Sequence, residues 1–162
     1  METKEIIDKD VVSRTLLDPK DIALKAGVPQ LDLKNNFQFQ INKKTGLREE
    51  SVNCMRLFAG DVISACHEQG QEKCNQTNLR RASNPDAKQE QYYGYVSANV
   101  GQIRDVKERD ISFTVKHTPQ NDNDAHCDVV MMNGDEQGIG KQIRKAAKDK
   151  LVKYFDTIVI AP

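Results

Sequence analysis

The sequence predicts an α+β fold: a mixed, mainly antiparallel sheet of about five or six strands with two or three packed helices. Three observations predict it. Apolar residues alternate with polar ones in several short segments, as in "FQFQI" and "ISFTV", which is the period of a half-buried strand. One long C-terminal segment has helical spacing instead. The strands come in runs and do not alternate one for one with helices, which disfavours a doubly wound parallel sheet.

The first expected element is a short helix over "DPKDIALKAG" (18–27). Asp18 can cap it, Pro19 suits the first helical position and Gly27 suits its end. "VPQLDLKNN" then reads as an irregular connection. "FQFQI" sets Phe37, Phe39 and Ile41 against two glutamines, and "NKKTG" supplies turn residues after it. "SVNCMRLF" is apolar enough for a second strand. "GDVISACHEQGQEKC" reads as a helix with Asp61 at its start and Val62, Ile63 and Cys66 as its inward stripe. The polar segment 75–91, with its Asn-Pro pair, reads as a long flexible loop.

"YYGYVSANV" is a third strand, with Tyr93 and Tyr95 on one face and Val96, Ala98 and Val100 on the other. "ISFTV" and "CDVVMM" are the fourth and fifth. From Glu136 to Phe155, Ile139, Ile143, Ala147, Leu151, Tyr154 and Phe155 fall at helical spacing. "TIVIA" closes the chain as a last short strand.

A length of 162 residues predicts a single domain, 1–162, able to bury a core. Lys and Arg number 24 and Asp and Glu number 24, so the formal net charge is zero. A dedicated nucleic-acid binder usually carries a basic excess, and a balanced chain is open to association with a partner. No apolar run approaches the roughly 20 residues that span a bilayer. "METKEIIDKDVV" lacks the basic and apolar regions of a signal peptide. A cytoplasmic location follows as the expectation, with Cys54, Cys66, Cys74 and Cys127 as reduced thiols.

The densest cluster of chemically active residues is "HTPQNDNDAHC" (117–127). If the flanking strands pair so that Lys116 faces Cys127, His117 faces His126. Two opposed imidazoles, with Asp122 from the loop, would make a metal site with an open position. Without a metal, His126 is the candidate catalytic base, assisted by Asp124. The competing reading is that "NDND" is turn chemistry and "CDVV" a plain strand. His126 and Cys127 are neighbours on a strand and Cys66 and His67 neighbours on a helix, so neither pair can act together. Cys54 and Cys66 read as small core residues.

Arg80 and Arg81, with Lys141, Arg144, Lys145 and Lys148 of the last helix, are candidate nucleic-acid or partner-binding residues. The alternative for the helix is a solvated face opposite an apolar one. "NGDEQGIGKQ" lacks a phosphate-loop pattern. No cofactor is assignable from the sequence.

The segments "EESV", "GQIR" and "TPQNDNDAHCDV", in that order before a basic helix, resemble a pattern in small uncharacterised bacterial proteins. In it a "glSV" strand precedes a helix, and a "V..IR" segment leads to a "dP...NpaHa.i" hairpin. The resemblance covers about residues 46–132. The chain departs from it at "KHTP", where the pattern has an acidic residue before the proline, so His126 rather than His117 matches its histidine. The resemblance implies a bacterial protein, with defence or mobile-element genes as the expected neighbours, and no known activity. The leading expectation is a small interaction or accessory protein with a protein partner or a second copy of itself. The alternatives are a metal-assisted or His126-dependent hydrolase or transferase, and a nucleic-acid-binding protein using the basic helix. No membrane association is expected.

Overall fold

The computed structural model describes residues 2–162. Its elements run β1 (Val11–Asp18), β2 (Ile22–Lys25), β3 (Val28–Leu31), α1 (Leu33–Asn36), β4 (Gln40–Ile41), β5 (Arg48–Cys54) and, after a 3-10 turn, α2 (Val62–Arg81). They continue with β6 (Gln91–Asn99), α3 (Val100–Asp105), β7 (Lys107–Glu108), β8 (Ile111–His117), β9 (His126–Met132), α4 (Lys141–Val152) and β10 (Thr157–Ile160). The fold is α+β. Among the described residues the main sheet has eight strands, more than the five or six expected, in the order β10-β6-β1-β5-β9-β8-β7 with β4 added on β5. All of its pairings are antiparallel. No helix is long and apolar enough to cross a membrane among the described residues.

The sheet is organised around β1, a strand that the sequence pattern did not predict. β1 pairs with β6 on one side and β5 on the other, and six of its eight residues are buried. Its pattern is hard to read because Arg14 sits on the apolar face, between Val12 and Leu16. Arg14 is 6% exposed, yet each of its three guanidinium nitrogens has a partner. It donates to the Asn36 side chain (2.7 Å), the Asn36 carbonyl (2.9 Å) and the Ser51 carbonyl (2.6 Å). It pairs with Glu50 at 3.0 Å and lies over the Phe37 ring. A buried charge is tolerable only when partnered in this way.

The sheet's two faces differ sharply. One face carries Val12, Leu16, Val52, Val96, Phe113, Val115, Val129 and Met131 into the core, closed by Ala147, Leu151 and Phe155 from α4 and its C-terminal turn. Each large side chain buried there contributes about 1.5–3 kcal/mol. The other face carries Ser13 and Thr15 of β1, Ser51 and Asn53 of β5, and His126 and Asp128 of β9, by the strict alternation of strands. α2 lies on this polar face, packed on β1 and β6.

Several expectations are corrected. The segment 18–27 is not a helix. Ala26 (φ 52°) and Gly27 (φ 79°) both take left-handed backbone between β2 and β3, the requirement of a tight two-residue hairpin. Gly27 serves that turn and does not cap a helix. α2 does start at Asp61, whose carboxylate accepts from the Ser64 N–H at 2.8 Å. However, it runs on through 75–81, so the expected loop begins only after Arg81.

The inward stripe of α2 is Cys66, Gly70, Cys74 and Thr77, all small, while Ile63 is 55% exposed. On β6, a bulge at Gly94 shifts the register. Tyr92 and Tyr95 therefore both reach His67 of α2, whereas Tyr93 packs toward the core. The expected pairing of Tyr93 with Tyr95 on one face is lost. α4 begins at Lys141, five residues later than the periodicity suggested.

Candidate functional site

A polar cleft of about 270 Å³ opens between α2 and the polar face of the sheet. Its floor is Ser13, Thr15, Ser51, Asn53 and His126. One wall is α2, contributing Gln69, Glu72, Lys73, Gln76 and Arg80 at helical spacing. The other wall is the β8–β9 loop, with Gln120, Asp122 and Asn123. Asn123 is held over the floor by a 2.7 Å bond from its amide to Asn53, and Gln69 reaches the Asp122 carbonyl at 3.5 Å. Three of the sequence candidates, Arg80, Asp122 and His126, thus meet in one place.

His117 does not join them. The hairpin pairs His117 with Cys127 and Lys116 with Asp128, one residue away from the register assumed in the sequence reading. In a strand a slip of one residue exchanges the faces. His117 therefore lies on the core face and His126 on the cleft face, and the His117–His126–Asp122 metal site is not assembled. Both nitrogens of His117 are also engaged. Nδ1 accepts from the Lys4 N–H at 2.8 Å and Nε2–H donates to the Asp124 carbonyl at 2.7 Å. His117 ties the N-terminal segment to the hairpin loop. Among the described residues no group of three or more His, Cys, Asp and Glu side chains converges as a metal site would require.

His126 is oriented differently. Its Nδ1 lies 2.8 Å from the Thr118 carbonyl and 2.9 Å from the Thr118 hydroxyl. That hydroxyl donates to Asp128 at 2.9 Å. The Thr118 carbonyl can only accept, so Nδ1 carries a proton and donates to it, and Nε2 is the ring edge turned to the cleft. Nε2 has no protein partner among the described residues and is not sealed from solvent. The carboxylate that reaches His126 is thus Asp128, through Thr118. Asp124, the expected partner, has an exposed side chain and supplies only its carbonyl, to His117. Burial pushes the Asp128 carboxyl above its ordinary value, against the opposing pull of the Thr118 bond and the nearby imidazole. The sequence held a signal for this: residues i and i+2 of a strand share a face, so His126 and Asp128 are co-facial wherever β9 pairs.

Lys73 is the second residue the sequence reading missed. It is half-buried at the cleft wall, and its ammonium has no hydrogen-bond or carboxylate partner within the described residues. Withdrawal from water pulls its pKa down to about 7, with Arg14 and Lys20 adding to the shift and Glu50 and Asp21 opposing it. Arg80, two turns along α2, also lacks a carboxylate partner there and donates only to the Thr77 hydroxyl. Arg81, expected to act beside it, is instead bound to Glu90 at 2.8 Å and pins the loop after α2.

The remaining candidates lie across the sheet. Lys141, Arg144, Lys145 and Lys148 of α4 line a groove of about 290 Å³ with Arg48 and Gln38, on the core-covering side. Arg144 is part of the frame: it donates to the Gly134 carbonyl at 3.1 Å and, with Arg48, flanks Asp135. Arg80 and Arg81 therefore do not form one surface with α4. All four cysteines are buried, and burial pushes the Cys66 and Cys74 thiols up. Cys66 touches the Ser13 hydroxyl while His67 bonds the Tyr92 hydroxyl, so the two diverge as their spacing requires.

No family model matches the chain, and no curated protein or solved structure matches it significantly.

Proposed function

We propose that the protein binds a small, polar, anionic ligand in the cleft between α2 and the sheet. One observation carries this reading: two basic side chains, Lys73 and Arg80, line a polar cleft without pairing to any carboxylate, those of Glu72 and Asp122 on its walls included. A lone cation at a desolvated wall costs stability, so its presence there is offset when a ligand supplies the counter-charge. The floor offers hydroxyls from Ser13, Thr15 and Ser51, the Asn53 amide and the Nε2 edge of His126. The volume of about 270 Å³ is just below the usual range for drug-sized ligands, which begins at about 300 Å³, and suits a small metabolite. No Phe, Tyr or Trp ring lines the cleft, which disfavours a stacked base.

The test is an amide NMR titration with phosphate, citrate, pyruvate, glutamate and a nucleoside monophosphate. At least one should shift resonances of the cleft residues, and Arg80→Gln should weaken that binding. Absence of any cleft shift across the panel, or shifts equal in Arg80→Gln, would refute the reading.

A second reading concerns the α4 groove, where Lys141, Lys145 and Lys148 recur along one helix face without carboxylate partners among the described residues. This supports an accessory protein that docks an acidic segment of a protein partner. Phe39, the one aromatic ring lining the groove, is only 2% exposed and offers no open face for base stacking, which favours an acidic peptide over single-stranded nucleic acid. Polyglutamate should bind with an affinity that falls as salt rises, and Lys145→Glu with Lys148→Glu should abolish it. Tighter binding of single-stranded DNA than of polyglutamate would overturn this choice.

A further inference from the structure

We propose that Lys73 captures a small carbonyl-bearing acid, of the α-keto acid class, as a Schiff base, with Arg80 holding the ligand's carboxylate. The inference rests on the cleft reading above and goes beyond it to a covalent step. Its geometric basis is placement. Lys73 and Arg80 are separated by two turns of α2, about 10 Å along the helix axis, and both line the same cleft. An arginine is a permanently charged fork matched to a carboxylate. Arg80 turns back along α2 toward Lys73 to reach the Thr77 hydroxyl at 3.3 Å, and the unpartnered lysine amine at the wall of the open cleft is free to meet the carbonyl carbon bonded to that carboxylate.

The chemistry needs the amine's lone pair, which an ammonium lacks. The surroundings supply it. Burial holds the amine at about 7, so a large share is neutral at physiological pH. The charges around it are Arg14 and Glu50, acting through the sheet, Lys20 and Asp21 beyond the end of β1, and Glu72, Arg80 and Asp122 at the cleft walls. In the step, the Nζ lone pair attacks the carbonyl carbon and the π pair moves to oxygen. The two protons of the neutral amine end on that oxygen, which leaves as water, and a C=N bond remains. No oxidant or reductant takes part. His126, on the cleft floor, turns its Nε2 edge, which has no protein partner among the described residues, toward the ligand.

The experiment incubates the full chain with pyruvate and cyanoborohydride from pH 6 to 9, followed by intact mass and peptide mapping. The expected result is a single fast reduced adduct on Lys73, formed at least about tenfold faster than at the exposed Lys145 at pH 7 because far more of its amine is neutral. Its rate should rise with a midpoint near pH 7. Lys73→Met should remove the adduct. Arg80→Gln should slow trapping of pyruvate but leave trapping of acetone, which has no carboxylate, unchanged. Adducts spread evenly over surface lysines, or a Lys73 rate no greater than theirs, would overturn the proposal. If pyruvate shifts the cleft resonances but no adduct forms, the Schiff base fails and the cleft reading survives. If neither occurs and the rest of the panel is also silent, both fall.

Discussion

Gly70 is where α2 comes closest to the sheet, and Gly70→Ala is the sharpest test of that packing. A β-carbon at position 70 would lie 2.2 Å from Cε1 of Tyr92, 2.6 Å from Cζ and 2.9 Å from Cδ1. Carbon atoms in contact need about 3.5–4.0 Å, so more than an ångström of movement is required. The ring is not free to supply it: its hydroxyl is held by His67 Nδ1 at 2.8 Å. One favourable term opposes two unfavourable ones. Alanine in a helix interior gains about 1 kcal/mol over glycine. Overpacking costs about 1–3 kcal/mol, and loss of the Tyr92 hydroxyl bond about 1 kcal/mol more. The net expectation is a destabilisation of about 1–3 kcal/mol, or a fall in Tm of roughly 2–10 °C for a chain of this size.

Thermal and urea unfolding followed by circular dichroism measures it. The double mutant isolates the cause. In a Tyr92→Ala background the clash is gone, so adding Gly70→Ala should be neutral or stabilising, with a coupling of at least about 1 kcal/mol. A Gly70→Ala variant more stable than wild type would mean that helix propensity wins and that α2 does not press on Tyr92.

Three further outcomes follow from the same structure. Glu50→Gln leaves the buried Arg14 guanidinium without its counter-charge and should cost about 3–5 kcal/mol, read by urea unfolding; a loss below 1 kcal/mol would show that Asn36 and the Ser51 carbonyl satisfy it alone. Because the Lys73 amine is held low in the folded chain, the unfolded chain binds more protons between about pH 7 and about 10.4, the ordinary lysine value. Stability from this group therefore rises with pH across that window, and Lys73→Met should be more stable than wild type at pH 7 and lose that part of the slope; parallel pH profiles for the two proteins would refute it. Asp10 behaves in the opposite sense. Its bond to Arg56 holds the carboxyl below the usual range, so its contribution is present above the unfolded value and lost as pH falls through the folded one. Arg56→Ala should flatten the acid limb of the stability profile, and an unchanged limb would show that the pair is idle.

Much of the fold was legible where one period dominated. β8 and β9 alternate cleanly, and the buried residues of α4 fall at the predicted spacing, because one face of each meets the core. Legibility failed where an element broke its own rule. Arg14 interrupts the apolar face of β1, the left-handed pair Ala26–Gly27 turned a helix pattern into a hairpin, and α2 buries small polar or neutral residues that leave no apolar stripe to see. In the site, His126 and Asp122 were legible as a cluster. Lys73 was not, since a lysine reads as surface until the wall around it is known.

The amino-acid sequence alone determined the α+β class and marked β8, β9 and the C-terminal helix. Those follow from local period and turn chemistry, which each segment carries in itself. Only the tertiary structure decided the register of the β8–β9 hairpin, and with it the side of the sheet on which each histidine falls. Register is set by which face finds apolar partners across β5 and α4. A shift of one residue sends His117 into the core and leaves His126 facing Lys73 and Arg80 across the cleft.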